Sequence, residues 1–296
     1  MTTTAPPTAA EDQPISIPPV RRAPSGLRAD VRAVKIVTHR ELLRWKGDKG
    51  RLLTGLIQPF LFLFVLGGGL SAVVSAGIPG IDFKTFLFPG VLCTSVLFTG
   101  VFAGVSIVWD REFGFLREML VAPIRRSSIL IGKCLGGSLV ATGQGIIVLA
   151  CAGLVDVPYE PVLMLELLGI LFLVALAVCA LGMFLGAKVR DMQALMPIIQ
   201  LAITPMMFLS GAMYPIGDLP TWLLFLTKVN PLTYAVVPMR HLVLDAVGVS
   251  AADNAALNPP ITWFGWPVPI GLQVLMIAVL GFVILVAAIK RFSAAD

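Results

Sequence analysis

The chain has 296 residues, of which 57% are hydrophobic and only 13% are charged, and its formal charge is +5. Soluble domains carry about 25% charged residues, so this chain has too few charges to cover a water-exposed globule of its size. The composition disfavours a soluble enzyme, a nucleic-acid-binding domain and a disulfide-stapled secreted domain. It predicts an integral membrane protein.

The residues before the first long apolar stretch form two parts. Residues 1–26 are rich in Thr, Pro and Ala, which predicts a disordered tail. Residues 27–51 predict an amphipathic helix with basic side chains on much of its second face. We expect it to lie on anionic lipid, either with a specific task or as a polybasic anchor alone. The apolar residues at helical spacing are Leu27, Val31, Val34, Leu42 and Trp45.

Six later stretches are long and apolar enough to cross a bilayer, whose core of about 30 Å needs about 20 apolar residues in a helix. The predicted spans are 52–74, 85–109, 134–155, 162–187, 192–213 and 266–289. Of the 22 Lys and Arg residues, 19 lie on the side of the two chain ends. Because basic residues concentrate in cytoplasmic loops, both termini are predicted to be cytoplasmic, including the short end at 292–296.

Catalytic and ion-coupling groups are scarce. The sequence holds two His and no GxxxxGK[ST], HExxH or GxSxG motif, so we expect neither a metal site nor an active site of its own. Glu166 is the one carboxylate inside a predicted span, and it suits an interfacial position better than substrate contact or a proton relay. Ion-coupled transporters use intramembrane ionisable groups, which makes a stand-alone secondary transporter the weaker alternative.

Residues 110–126, between the second and third predicted spans, combine charges of both signs with aromatic and aliphatic residues. A short helix there would present Phe113 and Leu116 to water before Pro123 interrupts it. Such exposure is typical of a docking surface for another protein, although a plain structural loop is the alternative.

The outer segment 214–265 predicts more than an ordinary loop. Its apolar run Leu219–Thr227 is too short to span a bilayer, and Asn230-Pro231 follows closely. A re-entrant or interfacial helical hairpin fits this pattern, since irregular backbone at membrane depth must be covered by protein or water. Residues 250–262 predict a surface loop.

Two runs resemble a known family. REFGFLREMLVAPIRRSSILIGK (111–133) and FLSGAMYPIGDLPTWLLFLTKVNPLTYAVVPMR (208–240) are similar to the permeases of type-2 ATP-binding-cassette exporters. Among these the chain looks most like permeases of the daunorubicin drug-resistance type. Together with the span pattern, the resemblance covers about residues 27–291.

The resemblance implies a division of labour. Two permease subunits, identical or paralogous, form the pathway, and two separate cytoplasmic ATPase subunits hold the ATP and Mg²⁺. This chain would bind no cofactor and no nucleic acid, and it would export an amphipathic drug-like or lipid molecule across a bacterial plasma membrane. A polysaccharide or teichoic-acid cargo is the alternative. The 27–51 segment would be the family's connecting helix, and the family's coupling helix would include Arg111, Glu112, Phe113, Gly114, Leu116, Arg117, Glu118 and Pro123.

Three further sets of residues are candidates for function. An outer gate would include Tyr214, Pro215, Asn230, Pro231 and Tyr234. A substrate path between the first, second and fifth spans of two subunits would include Phe60, Phe64, Phe98, Phe102, Met206, Met207 and Phe208. Small residues one turn apart allow close helix contact, either within the chain or between subunits, at Gly100/Gly104, Gly132/Gly136 and Gly182/Gly186.

Overall fold

The computed structural model describes residues 26–74, 81–114, 125–189, 191–217, 219–263 and 265–294. The predicted disordered tail, but for Gly26, and the last two residues lie outside that range. The helices are α1 (Leu27–Gly47), α2 (Lys49–Phe60), α3 (Gly67–Val74), α4 (Phe83–Glu112), α5 (Arg126–Leu149), α6 (Pro161–Lys188), α7 (Met192–Phe208), α8 (Thr221–Val229), α9 (Thr233–Ala246), α10 (Ala251–Leu257) and α11 (Ile270–Ala294). A π-helical segment, Leu61–Leu66, joins α2 to α3, and Ala152–Val155 forms a 3₁₀ turn.

Five helical stretches in the described part of the chain are long and apolar enough to cross a membrane. They are Leu52–Ser71, Phe83–Glu112, Arg126–Leu149, Pro161–Ala187 and Ile270–Phe292. The remaining predicted span, 192–213, contains α7, whose 17 residues rise about 26 Å. That length falls short of a bilayer core of about 30 Å. The helical membrane fold agrees with the structure, and six spans stay a prediction.

The helix that contains most of the third predicted span begins earlier than that span. We predicted a start at residue 134 because Lys133 looked like a cytoplasmic flanking charge, but α5 already begins at Arg126 and ends at Leu149. Lys133 lies inside this helix with 1% of its surface exposed. A buried helix can continue past a charged residue when other elements supply a partner of opposite charge. Lys133 has such partners in Glu41 and Asp110.

Helix α4 lies at the centre of the molecule and is buried around most of its circumference. Close backbone contact with α6 requires glycine on both helices. A Cβ atom on Gly104 would lie 2.2 Å from the carbonyl oxygen of Cys179, and one on Gly182 would lie 2.3 Å from that of Val101. These glycines therefore pack helices within the chain.

Helix α1 packs lengthwise on α5. The Thr38 hydroxyl donates to the Gly132 carbonyl oxygen at 3.0 Å, and Gly136 meets the Glu41 side chain. On the predicted apolar face of α1, Leu27 is 83% and Val31 62% exposed, and the contact of this face with lipid stays a prediction. The buried face of α1 lies against the glycines of α5, which leave room for side chains of α1. Hydrophobicity alone does not identify this face. Its two buried residues are Ala33 and Val37.

The segment after α7 folds into two short helices, α8 and α9, separated by Asn230-Pro231-Leu232. Helix α8 is largely exposed, whereas α9 is buried over most of its length. The loop predicted at 250–262 is partly wrong, because Ser250 caps the helix α10 by accepting a hydrogen bond from the Asp253 N–H. Two short antiparallel strands, β1 (Thr262–Trp263) and β2 (Trp266–Pro267), precede the last helix.

Candidate functional site

The end of α4 carries the first residues of the predicted docking segment. Arg111 and Glu112 form the last turn of this helix, and Phe113 and Gly114 follow it. The backbone of Gly114 has φ +79, a left-handed conformation that glycine adopts without strain and that ends the helix. The other predicted coupling residues lie outside the described part of the chain; they are Leu116, Arg117, Glu118 and Pro123.

Two contacts hold this helix end in place. The Glu112 carboxylate accepts a hydrogen bond from the Met192 backbone N–H at 2.9 Å, which satisfies one of the unpaired N–H groups at the start of α7. The Arg111 guanidinium lies 6.0 Å from the centre of the Phe292 ring near the end of α11, within the range of cation–π attraction. The end of α4 is therefore tied to two other helices.

Phe113 projects from this supported end with 73% of its surface exposed. A large aromatic side chain in such a position is a candidate contact for a partner surface. One oxygen of the Glu112 side chain is already bonded to α7, so its first role is to support the Phe113 position.

An ionic cluster of Arg40, Glu41, Arg44, Asp110 and Lys133 lies beside this helix end. The Lys133 Nζ lies 2.6 Å from Asp110 Oδ2 and 3.5 Å from Glu41 Oε1, and it donates to the Ser106 hydroxyl at 3.0 Å. The side chain of Lys133 is fully buried and that of Asp110 is 4% exposed. Two carboxylates and a hydroxyl thus compensate the burial of this ammonium group.

The same carboxylates bind the two arginines of α1. Arg40 Nη2 lies 3.0 Å from Asp110 Oδ2 and 3.1 Å from Glu41 Oε1, and Arg44 Nη1 lies 3.7 Å from Asp110 Oδ1. Partial burial acts to lower the pKa of Arg40, but the hydrogen bonds and charges of Glu41 and Asp110 outweigh it and raise the pKa above its ordinary value. The ionic cluster therefore connects α1, α4 and α5 one turn from Phe113.

Sequence reasoning missed the ionic cluster because it assigned Asp110 and Lys133 to a loop. A signal was present: Lys133 stands alone within the apolar run Leu130–Leu135, and a lone charge within such a run calls for a buried partner. The identity of that partner depends on packing between helices, which hydrophobic periodicity does not give.

A cleft of about 370 Å³ opens between α2, α4 and α5. Two of the seven predicted substrate-path residues, Phe98 and Phe102, line it. Met207 lies nearby, with its sulfur 4.0 Å from Gln58 Nε2 in the cleft wall. This cleft is formed by the first three predicted spans of one chain, and the substrate path between two subunits stays a prediction.

The other predicted path residues lie elsewhere. The rings of Phe60 and Phe64 lie 6.0 Å apart on the first span. Met206 faces a small apolar pocket formed with α6 and α11, and Phe208 is 49% exposed. Glu166 is exposed on α6 and lies outside the cleft lining.

Two of the five predicted outer-gate residues, Asn230 and Tyr234, hold the α8–α9 hairpin together. The Asn230 amide donates to the Met206 carbonyl oxygen at 2.8 Å and accepts from the Leu232 N–H at 3.0 Å. The Tyr234 hydroxyl donates to the Lys228 carbonyl oxygen at 2.7 Å. These bonds fix the turn between the two helices and tie it to α7.

Three further members of the predicted gate lie at the edges of the hairpin. The Tyr214 hydroxyl donates to the Phe208 carbonyl oxygen at 2.7 Å, which closes the turn after α7. Pro215 is exposed, and Pro231 lies against the apolar surface of α11.

Arg240 is a fully buried cation of α9. Its Nη2 donates to the carbonyl oxygens of Gly211 at 2.8 Å and Ala212 at 3.1 Å, and its Nε donates to that of Phe86 at 3.3 Å. The guanidinium lies 3.9 Å from the centre of the Phe86 ring. No carboxylate pairs with Arg240 within the described residues. The backbone carbonyl groups and the face of the Phe86 ring therefore compensate the burial of its charge.

Among the described residues, no three His, Cys, Asp or Glu side chains come together in a group that could hold a metal ion. The arrangement instead offers an exposed aromatic residue on a supported helix end, a buried ionic cluster beside it, and an uncharged cleft in the helical bundle.

Taken together, these features define a helical membrane protein with an exposed aromatic residue at the end of one long helix. The family model described as ABC-2 type transporter matches residues 32–244, well over half of the chain. The chain belongs to the ABC-2 type transporter family. The family resemblance of the two motif runs is thereby confirmed, and the drug-resistance subgroup stays a prediction.

Curated relatives are similar over most of their length. The chain is 27% identical over 211 residues to transport permease ycf38 of Cyanophora paradoxa, covering 70% of this chain and 72% of that protein. It is 28% identical to the ycf38 permease of Porphyra purpurea, covering 72% and 74%. It is 29% identical to Nodulation protein J of Rhizobium leguminosarum bv. trifolii, covering 70% and 80%.

Proposed function

We propose that this chain is the membrane-embedded permease subunit of an exporter that moves an amphipathic drug-like or lipid molecule out across a bacterial plasma membrane. Permeases of the ABC-2 family work with an ATP-binding subunit in ABC transporters. Because the sequence has no GxxxxGK[ST] motif, ATP and Mg²⁺ would bind on that separate subunit. This chain would then perform no catalysis of its own.

The observation that carries the proposal is Phe113, exposed at the supported end of α4. A hydrophobic residue on a rigid element can transmit force from a docked partner, whereas one on a loose loop cannot. Helix α4 is continuous over 30 residues from Phe83, so a displacement at Phe113 would act along the central helix toward the carbonyl bonded to Arg240. Closure of the ATPase and opening of the permease would then be one coupled equilibrium.

The size of the required coupling can be stated. To shift a two-state equilibrium from 1:99 to 99:1, ATP must favour one state by about 5.5 kcal/mol. In the assembled exporter, two permease subunits and two ATPase subunits would share this work. Both termini and the docking segment would face the cytoplasm, α7 would complete six spans, and the α8–α9 hairpin would be re-entrant and control release at the outer face.

The test replaces Phe113 with Ala in the complex of the full chain with its ATPase subunit. Loss of a central aromatic anchor costs about 2 kcal/mol or more, so we expect the affinity of the two subunits to fall about 30-fold and substrate-stimulated ATP hydrolysis to fall with it. Phe282→Ala is the matched control, since Phe282 is 64% exposed on α11. Unchanged affinity and stimulation in Phe113→Ala would remove the docking role.

A second candidate function has one observation in its favour. The ionic cluster supplies the buried ionisable groups that an ion-coupled secondary transporter needs. That function predicts transport by the chain alone in liposomes, driven by a proton gradient. The proposed exporter predicts transport only when the ATPase subunit and ATP are present.

The cargo has an alternative as well. That alternative is a polysaccharide or teichoic-acid chain: its sugar hydroxyls, but not the phosphates of teichoic acid, would fit the uncharged polar groups of the cleft, and Nodulation protein J is among the relatives. Comparing a lipid with a free oligosaccharide in the same ATP-dependent transport assay separates the two cargo classes.

A further inference from the structure

The cleft between α2, α4 and α5 has the size of a small-molecule site. Its volume of about 370 Å³ falls within the range of ligand pockets. The residues that line it are Thr54, Gly55, Gln58, Pro59, Thr94, Ser95, Phe98, Thr99, Phe102, Trp109 and Gln144. All of these lining residues are uncharged, although the ionic cluster begins at Asp110, the residue after Trp109.

Gln144 provides a buried donor that lacks an acceptor. Its side chain is 3% exposed, and its Oε1 accepts a hydrogen bond from the Thr99 hydroxyl at 2.8 Å. That bond orients the amide, and Nε2 has no partner within the described residues. A buried amide donor left unpaired is costly, and an acceptor atom on a bound molecule would recover this cost once the Gln144 side chain turns toward the cleft.

Gly55 of the opposite wall gives this amide its room. A Cβ atom at position 55 would lie 2.5 Å from Gln144 Nε2. Any larger residue would therefore displace the amide.

Acceptor groups line the same cleft on α4, beside this donor of α5. The hydroxyls of Thr94 and Ser95 donate to the carbonyl oxygens of Val91 at 3.0 Å and Leu92 at 2.8 Å. Their oxygen lone pairs stay available as acceptors. A group that both donates and accepts, such as a set of sugar hydroxyls, satisfies these atoms together with Gln144.

The aromatic residues of α4 give the cleft an apolar side. Phe98, Phe102 and Trp109 follow helical spacing on one face and extend over about 16 Å of the helix. Their rings can contact the apolar part of a bound molecule. A charged head group would lose its hydration here without a counter-charge, which is costly, so the lining selects against anions and cations.

We propose that this cleft binds the uncharged, hydroxyl-rich head group of an amphipathic molecule, with Gln144 donating the central hydrogen bond and the aromatic face of α4 receiving the apolar part. This site lies within one subunit, between its first three spans. The proposal rests on the transport function above, because it identifies the class of cargo that the permease accepts.

The test measures lipid binding to the purified full chain by native mass spectrometry, without an ATPase subunit. Three probes carry identical acyl chains: glucosyl diacylglycerol, diacylglycerol and phosphatidylglycerol. We expect the glucosyl lipid to be retained about tenfold better than either of the others. Equal retention of the three, or preference for phosphatidylglycerol, would overturn the head-group assignment.

Variants locate the preference within the cleft. Gln144→Leu removes the donor, and we expect it to reduce retention of the glucosyl lipid about fivefold, the value of one hydrogen bond. Gly55→Ala acts on the same amide from the opposite wall and should have the same effect. Gln200→Leu is the matched control, because Gln200 is an exposed helical residue whose amide donates to Thr204 at 3.0 Å.

A preference that survives in both cleft variants would place the binding elsewhere and refute the site. The transport function can fail separately: the assembled complex would then show no ATP-dependent transport, while the head-group preference of the isolated chain would persist.

Discussion

The two fully buried cations in the described part of the chain, Lys133 and Arg240, are compensated in different ways. Lys133 is held by two carboxylates that also bind two arginines of α1. Arg240 is held by three backbone carbonyl oxygens and a phenylalanine ring. Charge–charge attraction falls off slowly with distance, whereas hydrogen bonds to carbonyls weaken steeply once their geometry is lost.

Because of this difference, the contacts of the ionic cluster tolerate small movements of the helices, whereas the contacts of Arg240 do not. The ionic cluster can shift by an ångström or two and keep most of its attraction, and it lies beside Phe113, where we propose that a partner pushes. Arg240 can keep its bonds only if α9, the Gly211–Ala212 turn and the start of α4 move together. A Cβ atom at Gly90 would lie 2.2 Å from the Ala212 carbonyl oxygen, so these segments are in close backbone contact as well.

The largest expected effect is the removal of the central carboxylate of the ionic cluster. Asp110→Asn leaves Lys133 buried with only Glu41 as an anion, and breaking a buried pair in this way costs about 3–5 kcal/mol. Unfolding in mixed micelles measures the loss. Asp156→Asn is the control, since Asp156 is exposed in a left-handed turn that Asn also adopts. A loss below about 1 kcal/mol for Asp110→Asn would contradict the burial of an essential pair.

Next in size is the substitution of Arg240 by lysine, which keeps the charge and removes the planar fork. A single ammonium group cannot reach carbonyls on two segments and also stack on Phe86, so Arg240→Lys should cost about 2–3 kcal/mol in the same unfolding assay. Arg125→Lys, at a position 75% exposed, should change stability by less than about 0.5 kcal/mol. If Arg240→Lys leaves the free energy of unfolding unchanged, then the positive charge, rather than the hydrogen bonds of the planar guanidinium, stabilises the hairpin.

A smaller effect is expected when the cation of the same cluster is removed. Lys133→Met fits the buried site, and Asp110 keeps Arg40 at 3.0 Å and Arg44 at 3.7 Å. The loss should therefore be about 1–2 kcal/mol, below that of Asp110→Asn. Combining the two substitutions should cost less than the sum of both, which a double-mutant cycle measures. Additive losses would show that the two side chains do not interact.

The smallest effect belongs to an ion pair outside the core, which serves as a reference for both buried cations. Asp82 caps α4 and lies 3.5 Å from Lys84, and both side chains are about one-third exposed. Asp82→Asn should cost less than about 1 kcal/mol at pH 7, since Asn caps helices nearly as well. A loss comparable to that of Asp110→Asn would remove the distinction between exposed and buried pairs.

The same carboxyl predicts a pH dependence. The hydrogen bond from Ser71 lowers the pKa of Asp82 most, burial opposes this, and the Lys84 N–H and ammonium lower it further. A group whose pKa is lowered by folding stabilises the protein above its unfolded pKa and loses that contribution as the pH falls through the folded pKa. The difference between wild type and Asp82→Asn should therefore be constant at neutral pH, should begin to fall near pH 4, the ordinary pKa of Asp, and should vanish once the pH lies below the lowered pKa of the folded state.

Much of the helical organisation could be predicted from the sequence, because apolar runs of about 20 residues have few alternatives to a membrane helix. The start of α5 could not, since Lys133 resembles the flanking charge of a span until its partners on α1 and α4 are known. Residues 70 positions apart, such as Arg40 and Asp110, leave no local pattern that would pair them. For the same reason, the buried face of α1 follows the glycines of α5 more closely than its own hydrophobicity.

The candidate sites were predictable to different degrees. Phe113 was indicated by its surroundings, because an aromatic residue between charges is unusual in a loop. Phe98 and Phe102 were indicated by type alone, and Gln144 was overlooked. Helix rotation decides which residues share a cleft, and a helix that is apolar over most of its circumference, such as α4, shows little periodicity that would reveal its rotation.

The π-helical segment Leu61–Leu66 has a consequence for this cleft. A π turn contains more residues than an α turn. The segment therefore determines how the side chains of α2 are rotated about the helix axis relative to those of α3. Each residue of an α-helix advances the direction of the side chain by about 100°. Deleting one residue from the segment would therefore swing Thr54 and Gln58 away from α5, so that the hydrophilic wall of the cleft depends on chain length as well as on amino-acid identity.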